Sequence, residues 1–293
     1  MSVFKSEGQW PRESYQLLDF GSGRKLERLG GQLLDRPCPA AEGFQRNGQV
    51  DWSKADLRLD RRGKPIGPGP RELPVWEARY QDIEFGLKLT PFGHVGLFPE
   101  QHVNWQWLTQ QAPLPYSRPL RALNLFGYTG GTTLALAAHG IEVVHVDASS
   151  PAVAWARRNA EASQLQERPI RWIVEDARKF VRRELKRGNR YDIVVMDPPS
   201  FGHGPSGVRW DMQSHLPALL ADCLQLLATE TARLLVTGHS EKPDEWDIQS
   251  WIDEDLQAMA SGLALDLSVG RLGLTDLAGR VLDAGYFVRG IAP

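Results

Sequence analysis

Leu123-Asn-Leu-Phe-Gly-Tyr-Thr-Gly-Gly-Thr-Thr133 passes from an apolar run through a glycine-bearing turn straight into a helical pattern. Read as strand, turn and helix, it opens the first unit of a parallel sheet with crossover helices. Apolar runs at 121–126, 142–147, 170–175, 191–196 and 232–237 alternate with helical patterns at 131–139, 150–163, 176–187 and 213–228. That alternation predicts an α/β fold. A further helix is expected near 244–260. The runs at 263–274 and 281–291, joined by a turn at Ala278-Gly279, suit a final pair of antiparallel strands. Upstream, Tyr15-Gln-Leu-Leu-Asp-Phe-Gly-Ser-Gly23 and Arg24-Lys-Leu-Glu-Arg-Leu-Gly-Gly-Gln-Leu-Leu34 read as short extended stretches joined by glycine turns. They predict a small β-rich module over 1–84, ahead of the α/β unit at 85–293. Within it, residues 37–72 are rich in proline, glycine and charge, and are expected to run over the surface rather than into the core.

The 293 residues suffice for about two domains. With 42% hydrophobic and 24% charged residues, the chain is of the ordinary folded kind rather than the disordered. Its 34 Lys+Arg against 36 Asp+Glu exclude a globally basic binder but leave room for a local basic patch. Two cysteines, Cys38 and Cys223, support neither a disulfide framework nor a four-thiolate zinc site, and fit a reducing, cytoplasmic setting. The first residues lack an apolar leader core and no run approaches about 18 apolar residues, so neither secretion nor a membrane is expected.

The glycine turn lets backbone approach a ligand, and the free N–H groups at the following helix start favour a carboxylate or phosphate. Its spacing is not Gly-x-Gly-x-x-Gly, and a glycine turn also simply makes a tight strand-to-helix connection. Asp147 ends the next strand, where a carboxylate can take both ribose hydroxyls or cap the helix after it. Asp176 repeats the pattern after the third strand, as an acceptor for an adenine amino group or as an N-cap. The fourth strand ends in Asp197-Pro-Pro-Ser-Phe201. Two prolines without N–H groups hold the backbone extended and leave the carbonyls of Asp197 and Pro198 as acceptors, with Phe201 available to stack on a ring.

In this order, Asn124-Leu-Phe-Gly-Tyr-Thr-Gly-Gly131, Asp147, Asp176 and Asp197-Pro-Pro-Ser-Phe201 resemble the class I S-adenosylmethionine-dependent methyltransferases, most closely the branch containing ribosomal large-subunit RNA base methyltransferases. The resemblance covers roughly residues 85–293. Thr90-Pro-Phe-Gly-His-Val-Gly-Leu-Phe-Pro-Glu-Gln101 is similar to that branch's Thr-Gly-x-Phe-x-Asp-Gln segment, which lies over the cofactor. The resemblance implies a Rossmann-like, mostly parallel sheet with an antiparallel final strand, and S-adenosyl-L-methionine as cofactor. It implies cofactor contacts from Gln101, from the backbone of Phe126, Gly127, Tyr128, Thr129 and Gly130, and from Asp147, Ala148, Ser149, Asp176, Ala177 and Asp197. Asp197, Pro198, Pro199 and Phe201 form the catalytic set by the same resemblance. It further implies an RNA substrate, ribosomal by its nearest branch. Two departures stand out. The branch's cytosine-5 enzymes carry Thr-Cys-Ser-Cys after the fifth strand, where this chain has Thr237-Gly-His-Ser240, and residues 1–84 do not match their N-terminal RNA-binding domain. Without a thiolate to activate carbon 5, the expected acceptor is a nitrogen, or an oxygen, attacked in a direct displacement that calls for no metal.

Other residues have plainer readings beside the functional one. Arg178, Lys179, Arg182, Arg183, Lys186, Arg187 and Arg190 form a stripe at helical spacing that could steer phosphate but is expected to be a solvated face. His203, in the glycine-rich stretch 202–207, could move a proton on a lid, and His239 could line the pocket. Trp105 and Trp107 are expected to pack, and Cys223 to be buried. Two alternatives are a methyltransferase acting on a small molecule or protein side chain and, with no use for Asp-Pro-Pro-Ser-Phe, an NAD-dependent oxidoreductase. Oligomeric state is not legible.

Overall fold

The computed structural model describes residues 10–67, 74–90, 93–110, 118–203, 209–258 and 262–293. Strands β1 (Tyr15–Gly21), β2 (Arg24–Leu29) and β3 (Gln32–Pro37) form an antiparallel meander. The β2–β3 loop is the pair Gly30-Gly31, both at positive φ, as a two-residue hairpin requires. β3 pairs in parallel with β4 (Leu57–Leu59), and β4 pairs antiparallel with β5 (Pro65–Ile66), completing a five-stranded sheet. A separate hairpin, β6 (Trp76–Tyr80) and β7 (Ile83–Leu87), follows, and the division expected after residue 84 falls inside β7. This hairpin lies on the helix Ser150–Ala162 of the second unit, where Gly86 N–H donates to Asn159 and the Trp155 indole donates to Gly86 O.

Beyond α1 (His102–Gln110), strand and helix alternate: β8 (Arg121–Leu125), α2 (Gly131–Ala138), β9 (Glu142–Asp147), α3 (Ser150–Ala162), β10 (Ile170–Val174), α4 (Ala177–Lys186) and β11 (Ile193–Met196). A small hairpin, β12 (Phe201–His203) and β13 (Arg209–Asp211), precedes α5 (Met212–Leu226), β14 (Arg233–Gly238), α6 (Glu245–Ala258), β15 (Asp266–Thr275) and β16 (Val281–Ile291). The large sheet runs β10-β9-β8-β11-β14-β16-β15, parallel through β14 and antiparallel at β16 and β15. β8 lies inside the sheet, with successors leaving on both sides. The order therefore reverses between β8 and β11 and opens a crevice at their carboxyl ends.

Near-continuous apolar strands fit this sheet because both faces are covered. Along β11, Val194 and Met196 join Phe180 of α4 and Leu220 of α5, while Ile193 and Val195 join Leu108 of α1 and Leu136 of α2. Cys223 is fully buried among the first set. The N-terminal module shares its core with this unit, for Phe20, Leu59 and Phe85 cluster with Trp105, Leu134 and Leu274.

Residues 37–72 depart from expectation where they are described, since Ala41, Leu57 and Leu59 are buried in that shared core. Alternation in Leu57-Arg-Leu59 hides two leucines among charges, a strand signal too short to stand out. The basic stripe on α4 is largely met by neighbouring carboxylates, Arg178 by Asp176, Arg183 by Glu175 and Arg187 by Glu184. Among the described residues no helix is long and apolar enough to cross a membrane.

Arg280, in the β15–β16 turn, joins the two units. Its guanidinium donates to Asp19 Oδ1 at 2.5 Å, to Gln45 O at 2.7 Å and to Asp276 Oδ2 at 2.8 Å. Asp19 is fully buried and also accepts from the Trp52 indole. Removing one partner of a buried pair strands the other, so Arg280→Ala should cost about 3 kcal/mol in urea unfolding. A loss below about 0.5 kcal/mol would contradict this role.

Candidate active site

A cleft of about 1520 Å³ opens at the carboxyl ends of β8, β9 and β11, and Asp147 and Asp197 line it together. Every cofactor or catalytic candidate named from the sequence lines it except Gly130 and Phe201. Gly130, at φ +91°, begins α2 and faces Ala156 of α3. Phe201 stands 66% exposed on β12, with Arg209 over its ring, so it does not stack inside the cleft. The Trp210 indole instead donates to Pro199 O, lines the cleft and packs against Phe126. Trp105 is buried in the shared core and Trp107 packs beneath Arg289, as packing residues should. The His203 side chain and residues 204–208, where a lid was considered, lie outside the described residues.

The loop after β8 holds two non-glycine residues in the left-handed region, Phe126 at φ 58° and Tyr128 at φ 47°. Each such residue costs on the order of 1–3 kcal/mol and persists only if its surroundings hold it. Asp147 does so, because its carboxylate accepts from Tyr128 N–H at 2.9 Å and Ser149 N–H at 2.8 Å. Burial raises its carboxyl above the usual range while those two N–H groups oppose the shift. Ser149, rather than Asp147, caps α3. Between the two strained residues, a Cβ on Gly127 would meet the buried His145 ring at 2.5 Å. His145 bonds Thr133 Oγ1, which also accepts from Asn124, so the start of α2 is tied to both strands. No side chain caps α2, which leaves its first N–H groups beside the cleft for a carboxylate.

Asp176 is the N-cap of α4, accepting from Arg178 and Lys179 N–H while the Arg178 guanidinium pairs with it. Burial alone would raise this carboxyl, yet the guanidinium and the N–H groups hold it below the usual range. Cap and cleft wall coincide in this one residue.

At the end of β11, Pro199 O is taken by Trp210 and Ser200 O by Met212 N–H. No hydrogen bond outside the strand ladder reaches the carbonyls of Asp197 and Pro198 among the described residues. The Asp197 side chain is the last member of a chain invisible in the sequence. Arg289 donates to Asn104 Oδ1 at 2.7 Å, Asn104 to Gln101 Oε1 at 2.8 Å, Gln101 to Thr237 Oγ1 at 3.4 Å, and Thr237 to Asp197 Oδ1 at 2.7 Å. Gln101 therefore helps set the orientation of Asp197. Sequence reasoning also passed over Glu100, a buried cleft residue whose carboxyl is raised by burial, with His239 Nε2 3.7 Å away. Cys38 lines the cleft, and burial pushes its thiol up as well. Among the described residues no group of three or more His, Cys, Asp or Glu is placed to hold a metal.

A family model for S-adenosylmethionine-dependent methyltransferases matches residues 64–235. Among curated proteins the chain is similar to the ribosomal RNA large subunit methyltransferase I of Photobacterium profundum, 40% identical over 192 residues that cover 65% of this chain and 46% of that protein. The Salmonella arizonae protein of the same name is 38% identical over 210 residues, 64% of this chain and 51% of its own. The chain thus spans about half the length of the curated relatives it matches. A solved structure of a SAM-dependent methyltransferase from Agrobacterium tumefaciens superposes with a TM-score of 0.85 at 35% identity, covering 99% of this chain and 98% of that one. The residues present suit S-adenosylmethionine: uncapped N–H groups for a carboxylate, and acidic groups at successive strand ends for hydroxyl and amino groups.

The buried histidine gives the fold a pH dependence. Burial lowers His145 to about 3, against about 6.5 for an ordinary imidazole. Between those values the unfolded chain binds a proton that the folded chain does not, so stability falls as pH drops through this interval. Urea unfolding should show lower stability at about pH 5.5 than at about pH 7.5, by up to about 1.4 kcal/mol per pH unit for one proton. Stability constant across that range would contradict the assignment.

Proposed function

Because the chain belongs to the S-adenosylmethionine-dependent methyltransferase family, we propose that it methylates a nitrogen of a base in ribosomal RNA by direct displacement, working in the cytoplasm. The observation that carries this reading is the convergence of Asp147 and Asp197-Pro198-Pro199 on one cleft. When bound, S-adenosylmethionine supplies a methyl carbon on a sulfonium, a good leaving group for a neutral nucleophile. Asp147 would accept from the ribose hydroxyls with the lone pairs that Tyr128 and Ser149 leave free. Asp176 and the backbone at Ala177 would meet the adenine, the backbone from Phe126 to Thr129 the methionine part, and Gln101 would keep Asp197 turned toward the transferred methyl.

For the acceptor, the carbonyls of Asp197 and Pro198 would take hydrogen bonds from an exocyclic amino group or ring N–H, aligning its nitrogen lone pair. Holding the reacting atoms in line at about 3 Å supplies several kcal/mol of the barrier reduction. The nitrogen loses a proton as its new bond to carbon forms, and His239, which lines the cleft, would receive it.

A nitrogen acceptor is favoured over carbon 5 of a pyrimidine by the thiols. Cys223 is fully buried, burial raises the Cys38 thiol, and the segment after the fifth strand that carries cysteines in the cytosine-5 enzymes is Thr237-Gly-His-Ser240 here, all of which weigh against a thiolate for carbon methylation. The RNA acceptor is supported by the names of the curated relatives. Mass spectrometry of nucleosides from large-subunit RNA of cells with and without this protein should show one N-methylated nucleoside that depends on it. A missing 5-methylcytidine would overturn the nitrogen acceptor, and unchanged RNA with methyl transfer to a small acceptor would overturn the RNA reading.

A further inference from the structure

The five-residue turn Asp60-Arg61-Arg62-Gly63-Lys64, between β4 and β5, carries three cations. Its shape is fixed from within. The Asp60 carboxylate accepts from the N–H groups of Arg62 and Lys64, each at 2.8 Å, while Asp60 N–H donates to Lys64 O and Gly63 N–H to Asp60 O. It is also seated against the segment that leads to Gln101, for a Cβ built on Gly93 would stand 3.4 Å from Gly63 Cα. Asp60 and Arg61 line the cleft that holds Asp147 and Asp197.

Arg61, Arg62 and Lys64 are exposed and make no ion pair among the described residues. That sets them apart from the stripe on α4, largely paired with carboxylates, and from neighbouring Arg58, which pairs with Asp35. Elsewhere the cleft lining is acidic on balance, with Glu241, Asp244, Glu245 and Asp283 against Arg271, while its cations Lys25 and Arg36 are both paired with Glu27. A polyanion approaching the site is repelled there and drawn to the turn.

We propose that this turn is a phosphodiester-binding finger of the N-terminal module, holding the backbone of the RNA strand whose base enters the cleft. The proposal rests on the RNA reading above and gives the N-terminal module a part in substrate binding. Contacts of this kind carry no sequence preference and act by releasing counterions, about 0.7 per phosphate on a single strand. Three contacts should therefore contribute about 2 to the slope of log affinity against log salt.

The test is filter binding of labelled, protein-free large-subunit ribosomal RNA between about 50 and 300 mM KCl. It compares wild type with R61Q/R62Q/K64Q and with R157Q/R158Q/R168Q, a control that removes equal charge from exposed positions outside the cleft lining. The finger variant should lose about 2 from the slope and at least tenfold in affinity near 150 mM salt, with S-adenosylhomocysteine affinity unchanged by calorimetry. The control should keep most of the wild-type slope. A finger variant with the wild-type slope, or a control that loses as much, overturns the finger while leaving the RNA reading standing. Wild-type protein that shows no salt-dependent binding overturns the RNA reading itself and the finger with it.

Discussion

The carboxylate of Asp147 holds the structure together at the point where the sheet opens. By accepting from Tyr128 and Ser149 N–H it ties the loop after β8 to the turn before α3. That loop holds Phe126 and Tyr128 at positive φ, which no local preference of phenylalanine or tyrosine would sustain. The contact of Gly127 with His145, and the bonds of Thr133 to His145 and Asn124, brace the loop from below. The loop proposed to seat the methyl donor is in this way held by bonds from several elements, and holding the reacting groups in place is what a displacement reaction asks of its enzyme.

The second fixed point, Asp197, is reached from β16, two strands away in the sheet. Arg289 on β16, Asn104 and Gln101 around α1, and Thr237 on β14 pass one orientation along a line of hydrogen bonds to its side chain. Burial lowers Arg289 to about 10, which still leaves it a cation near neutral pH and able to anchor the line. The antiparallel end of the sheet is thus connected to the Asp197 side chain at its parallel centre. The N-terminal module, pinned through Arg280 and Asp19, closes the same cleft from above the sheet's carboxyl edge.

Much of this could be read from the chain because local and global signals agree. The β8–α2 turn and the apolar runs buried on both faces each point to the same fold. Asp147 and Asp197 were visible for the same reason, as acidic residues ending strands. Hidden instead were relations that only the folded chain creates: Thr237 under Asp197, Asn104 behind Gln101, and Glu100 opposite His239. Phe201 departs from expectation because its motif fixes the backbone only to Pro199, while Phe201 itself belongs to the β12–β13 hairpin, where Arg209 stands over its exposed ring. The leucines of β4 were lost among charges, since two alternating residues are too few for a periodicity to show.

The most direct test is calorimetric titration of S-adenosylhomocysteine into wild type and Asp147→Ala, alongside their unfolding curves. With hydrogen bonds to a charged group contributing about 1.5–3 kcal/mol each, the account predicts a loss of roughly tenfold to over a hundredfold in affinity while the variant stays folded. A folded variant that binds as tightly as wild type would contradict it, because the donor would then be seated without the carboxylate that organises the site.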